Sequence, residues 1–95
     1  MSDEIDMAAR YVVDPEASAT RMGDETVLVS IRTGSYFGLD EVGTYLWALI
    51  EKGVSPQDAC DALCRDYDVS AETAQQDVQR LFSELQANGL IEREQ

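Results

Sequence analysis

Cys60 and Cys64 stand four residues apart, a spacing that puts two thiols on one face of a helix, where sharing a metal ion is geometrically possible. The chain contains no histidine and no third cysteine, so nothing completes a metal shell of the usual kind. Between Cys60 and Cys64 lies Leu63, and Ala59 precedes them. That apolar company makes both thiols small core residues, since free cysteine behaves as a buried hydrophobe. No CxxC follows, so a radical iron-sulfur site is not indicated. Without histidine the chain also lacks the commonest general base and the side chain that titrates nearest neutral pH. Carboxylates are plentiful, but no pair sits in an apolar context that would split two pKa values for acid-base work. Gly34 and Gly38 flank Ser35, Tyr36 and Phe37, with no lysine placed as in a phosphate-binding loop. The chemistry the sequence offers is binding, with no catalytic residues, no metal and no cofactor expected.

The elements that position these residues follow from composition and pattern. Ninety-five residues, 44% hydrophobic and 27% charged, suit one domain with a single core. Seven Lys and Arg against 19 Asp and Glu give a net charge of −12, which opposes nucleic-acid binding, an affinity built mainly on Lys and Arg. No apolar run is long enough to span a membrane, and the acidic start through Asp3, Glu4 and Asp6 is no signal peptide. A cytoplasmic protein without membrane or nucleic-acid partners is expected.

Residues 1–16 carry five acidic residues and one basic residue and read as a mobile acidic arm with a short ordered end. From Ala17 to Leu39, β-prone stretches are punctuated by Gly23-Asp24 and Thr33-Gly34, which predicts a three-stranded antiparallel meander with tight turns. Val27, Val29 and Ile31 alternate with Thr26, Leu28 and Ser30, so the valine side is expected to face the core. Asp40 caps a helix over 41–51 that Gly53 ends; its main stripe is Val42, Tyr45, Leu46, Leu49 and Ile50, with Trp47 off the stripe. Ser55 and Pro56 open a second helix, Ser70 and Thr73 a third that stops at Asn88-Gly89. Leu90 and Ile91 then fold back before a charged tail.

The expected fold is therefore α+β, a three-stranded antiparallel sheet followed by three helices, in a winged helix-turn-helix-like arrangement. Many such domains bind DNA through the third helix. Here that helix has Arg80 as its one basic residue against Glu72, Asp77 and Glu84, so charge disfavours a transcription regulator. The edge of a small sheet offers another mode, the addition of an extended peptide as a further strand. On the last strand Phe37 and Leu39 share one face and Tyr36 and Gly38 the other, which leaves Tyr36 reachable, while Gly38 admits a second backbone.

The run Ser35-Tyr36-Phe37-Gly38-Leu39-Asp40-Glu41-Val42-Gly43, then Leu46-Trp47, and later Tyr67-Asp68-Val69-Ser70, Asp77-Val78, Leu85 and Gly89-Leu90-Ile91 resemble a PqqD-like domain. This family supplies the recognition element for precursors of ribosomally made, modified peptides. The resemblance implies a recognition domain over 17–92 that binds a precursor's leader peptide as an added strand, in a groove between the third strand and the last helix. It implies presentation of that leader to a separate processing enzyme. The Thr-Gly-x-Tyr-Phe-Gly-Leu-Asp-Glu-Val-Gly segment most resembles the standalone subunit of lasso-peptide systems, which works with a leader peptidase. The Pro-Glu strand ending usual in the pyrroloquinoline quinone chaperone is missing, so a chaperone for a radical enzyme is the secondary reading. On this footing Tyr36, Phe37, Gly38, Leu39, Asp77, Arg80, Leu81 and Glu84 are the expected peptide-binding residues.

Overall fold

The computed structural model describes residues 5–94. The elements run β1 (Tyr11–Val13), β2 (Ala17–Met22), β3 (Glu25–Ser30), β4 (Ser35–Leu39), α1 (Glu41–Glu51), α2 (Pro56–Asp66), α3 (Ala71–Ala87) and β5 (Ile91–Arg93). Strands β2, β3 and β4 form the expected antiparallel meander, with three helices after it, while β1 and β5 pair as a separate two-stranded sheet. The two-residue β2–β3 connection takes its positive φ at Gly23, +65°, which glycine adopts without a Cβ clash.

The face of β3 is a correction. Thr26, Leu28 and Ser30 are buried, whereas Val27 and Val29 are half-buried and Ile31 is 72% exposed. The polar positions go inside because each finds a partner there: Thr44 Oγ1 donates to Thr26 Oγ1 at 3.0 Å, and the Thr33 N–H donates to Ser30 Oγ at 3.2 Å. Satisfied hydroxyls lose the penalty that would keep them in water. Leu28, opposite Phe37 in the register and fully buried, then carries the apolar contact to the helices.

Side-chain caps start all three helices: Asp40 accepts from Gly43 N, Ser55 from Asp58 N and Ser70 from Thr73 N. Pro56 begins α2, where its missing N–H costs nothing. Helix α1 packs against β1, β3, β4 and α2. That two-sided packing buries Trp47 to 4% exposure although it lies off the helix's main stripe. Gly43 is the tight point of the β4–α1 junction, since a Cβ there would stand 3.2 Å from Leu39 Cβ and from Asp40 Oδ1.

The segment expected as an arm contributes to the core. Ile5 and Tyr11 are buried, and the Tyr11 ring meets Phe82 edge-on with centroids 5.6 Å apart. The Asp6 N–H donates to the Tyr11 hydroxyl at 3.0 Å, and Val13 lies opposite Ile91 in the β1–β5 pair. Asp14 is buried, pairs with Arg32 and accepts from the Glu16 N–H at 2.8 Å. The packed unit thus begins before residue 17; residues 1–4 lie outside the described residues. Among the described residues no helix is long and apolar enough to cross a membrane, and no group of three or more Cys, Asp or Glu could hold a metal.

Two further groups give testable consequences. The Tyr45 hydroxyl donates to Asp66 Oδ2 at 2.6 Å, and burial followed by this bond pushes its pKa up to about 12. In the unfolded chain a tyrosine ionises near 10. The Tyr45 contribution to stability is therefore complete below about pH 10 and is lost as pH rises towards about 12. Tyr45→Phe should flatten this alkaline decline in urea midpoints taken between pH 9 and 12; an unchanged slope would assign the decline elsewhere. Cys60 is buried with its thiol directed at Ala74 O (3.8 Å), and burial pushes its pKa up. Replacing Cys60 and Cys64 with alanine should cost about 1 to 3 kcal/mol of stability through lost packing. Stoichiometric metal lost on that substitution would refute the packing role.

Candidate functional site

Strand β4 is an edge of the three-stranded sheet, and the direction of its free hydrogen-bonding groups follows from the register. The Ile31 N–H bonds to Glu16 O at 3.1 Å, on the β2 side. Backbone groups alternate along a strand, so Val29 and Val27 also point to β2, and Ser30, Leu28 and Thr26 point to β4. Their partners Ser35, Phe37 and Leu39 are thereby used up. Tyr36 and Gly38 remain, with main-chain N–H and C=O groups facing the open edge.

Beside that edge lies a groove of about 320 Å³ between β4, the start of α1 and the flank of α3. Its apolar lining comes from Phe37 and Leu39 on β4, Val42 and Leu46 on α1, and Leu81 on α3; Asp40, Asp77, Arg80 and Glu84 supply the charges. The local reasons are simple. Phe37 and Leu39 share the inward face of β4, Val42 and Leu46 are one helical turn apart, and Asp77, Arg80, Leu81 and Glu84 share one side of α3.

Of the residues expected from sequence, Phe37, Gly38, Leu39, Asp77, Arg80, Leu81 and Glu84 come together around the groove. Tyr36 does not line it. Its ring is 78% exposed on the outer face of the sheet, opposite Val29, and only its backbone turns to the open edge. Asp40, Val42, Gly43 and Leu46 also line the groove and were missed. Val42 and Leu46 read as part of the core stripe of α1 and Asp40 as a cap; each role is real, and each side chain serves both. The signal was the one-residue junction between strand and helix, which must carry the first turn of α1 to the end of β4.

The charges are unequally engaged. Asp40 Oδ1 accepts from the Gly43 N–H at 2.8 Å, and Asp77 pairs with Arg80 at 3.6 Å. Glu84 has a main-chain bond, its carbonyl accepting from Asn88 Nδ2 at 2.8 Å, but its carboxylate has no partner among the described residues. A Cβ built on Gly38 would meet no atom within 4 Å, so nothing inside the protein requires glycine there. Glycine within a strand costs roughly 0.5–1 kcal/mol against alanine; close approach by a second backbone is the physical use for it. The arrangement presents hydrogen-bonding backbone, an apolar trough and a mostly acidic rim, which together suit an extended peptide.

The sequence matches the family model described as coenzyme PQQ synthesis protein D (PqqD) over residues 25–91. Among solved structures, TbiB1 in complex with the TbiA(beta) leader peptide is 34% identical, with a TM-score of 0.79 and coverage of 85% of this chain and 94% of that one. A lasso peptide synthetase B1 complexed with the leader peptide is 27% identical, with a TM-score of 0.78 and coverage of 88% and 99%. No curated protein matches the sequence significantly.

Proposed function

The chain belongs to the PqqD family, and from that membership we propose that it captures the leader peptide of a lasso-type precursor and presents it to a separate processing enzyme. The observation that carries the reading is the groove beside β4, where Tyr36 and Gly38 offer unpaired main-chain groups next to an apolar trough. Both solved relatives described above hold leader peptides.

In this reading the leader adds to β4 as an extended strand. Its main chain bonds to Tyr36 and Gly38, each bond contributing a net ~0.5–1.5 kcal/mol. Side chains on one face of the leader enter the trough formed by Phe37, Leu39 and Leu81, where full burial of a leucine-sized group contributes about 1.5–3 kcal/mol. Those on the other face lie beside the Tyr36 ring as cross-strand neighbours. Asp77, Arg80 and Glu84 border the strand on its far side. The protein's part is to bind and orient the leader, and the bond-breaking chemistry belongs to its partner.

The test is a fluorescence polarisation titration with the labelled TbiA(beta) leader peptide, and with duplex DNA as comparison. Saturable binding of the leader and none of DNA at physiological salt is expected. Binding of DNA alone would overturn the proposal.

A further inference from the structure

We propose that Glu84 selects a basic side chain at one fixed position of the bound leader, an inference that rests on the leader-binding reading. Three carboxylates border the groove, and two are already engaged: Asp40 caps α1, and Asp77 holds Arg80. Arg80 stands four residues before Glu84, a spacing that permits an ion pair on a helix, yet its guanidinium turns back to Asp77. Among the described residues the Glu84 carboxylate on the groove wall has no ion-pair partner.

A second observation adds to the field at that point. Glu84 lies in the last turn of α3, and that turn contains no basic residue. Asn88 caps its carbonyls, donating from Nδ2 and N–H to Glu84 O, but no cationic side chain in that turn offsets the negative end of the helix dipole. This end of α3 also sits beside the start of β4, since a Cβ on Gly89 would stand 3.3 Å from Thr33 Cγ2 in the β3–β4 connection. A cation entering here meets both the carboxylate and the helix C-terminus.

The spacing makes the preference positional. Arg80 and Glu84 are separated by about 6 Å along the helix axis, and alternate side chains of a strand by about 6.6 Å. Neighbouring leader residues on the groove-facing side therefore meet different surroundings: a lysine or arginine fits beside Glu84, while the residue two positions away lies beside Arg80, whose charge Asp77 already offsets. A net charge of −12 attracts basic peptides without regard to position; Glu84 fixes where the basic residue must be.

A display selection tests this with a random library of 15-residue peptides on the whole protein, run in parallel on Glu84→Lys, Gln75→Lys and Gly38→Pro. The wild-type protein should enrich peptides with Lys or Arg at one aligned position. Glu84→Lys should replace that preference by Asp or Glu at the same position, and Gln75→Lys, on the other flank of α3, should leave it unchanged. Glu84→Gln should weaken binding of the enriched peptides about fivefold at low salt. The same consensus from wild type and Glu84→Lys, or basic residues scattered without alignment, would overturn the role of Glu84. Failure of the wild-type protein to enrich any peptide over Gly38→Pro would instead remove the leader-binding reading. Thermal melts establish that the Glu84 variants, changed at an exposed site, are folded.

Discussion

Gly38→Pro is expected to weaken leader binding roughly thirtyfold or more while leaving the protein folded. The Gly38 N–H faces the open edge of β4, so a proline there removes no bond to β3 and is of the kind tolerated on edge strands. The backbone has no positive φ at this position, and a side chain there meets open space. An incoming strand fares differently. It loses a main-chain donor and meets the pyrrolidine ring where its own backbone must lie, a combined loss of about 2 kcal/mol or more, which is roughly a thirtyfold weaker complex. Phe37→Pro is the contrasting variant: its N–H is committed to Leu28 across the sheet, so it should lower the melting temperature. Leader titration and thermal melts on both variants separate the two effects. Undiminished binding by a folded Gly38→Pro protein would exclude strand addition at this edge.

Tyr11→Ala should be among the most damaging single truncations for stability, at about 3 to 4 kcal/mol by urea unfolding. The ring is 1% exposed, packs edge-on against the fully buried Phe82, and receives the Asp6 N–H on its hydroxyl. Its removal leaves a void against α3 and strands a donor. Small domains have a total stability of about 5–15 kcal/mol, so this is a large fraction. A cost below about 1 kcal/mol would show that the segment before residue 17 is dispensable to the core.

Tyr11 also shows where the sequence stops being informative. Five carboxylates within sixteen residues look like a solvated tail, and one tyrosine among them carries no periodicity to say that a distant Phe82 awaits it. The face of β3 is hidden for a related reason. Thr26 and Ser30 are polar on paper, and the partners that satisfy them, Thr44 and Thr33, come from other elements. By contrast, signals contained in a few consecutive residues were legible: the caps Asp40, Ser55 and Ser70, and the β4 strand from Ser35 to Leu39; the side of α3 bearing Asp77, Leu81 and Glu84 was indicated only by the family resemblance. The groove falls between these cases. Its β4 wall was readable, its α3 wall came through the family resemblance, and its α1 wall was masked because Val42 and Leu46 satisfy a core pattern as well.

An unfilled sheet edge is also a hazard, because it can pair with another copy of itself and start aggregation. Strand β4 has no inward lysine, proline or bulge to blunt its edge; in the proposed binding mode any of these would also repel the incoming leader strand. The acidic rim offers protection of another kind. Two empty grooves that approach edge to edge bring Asp40, Asp77 and Glu84 of each copy together, inside a protein that already carries −12, and like charges hold them apart. This protection weakens as salt shortens the reach of the charges, to about 3 Å at 1 M. The unloaded protein is therefore colloidally safest in dilute buffer, and an occupied groove, whose β4 edge is already paired, should resist association at salt concentrations where the empty one begins to associate.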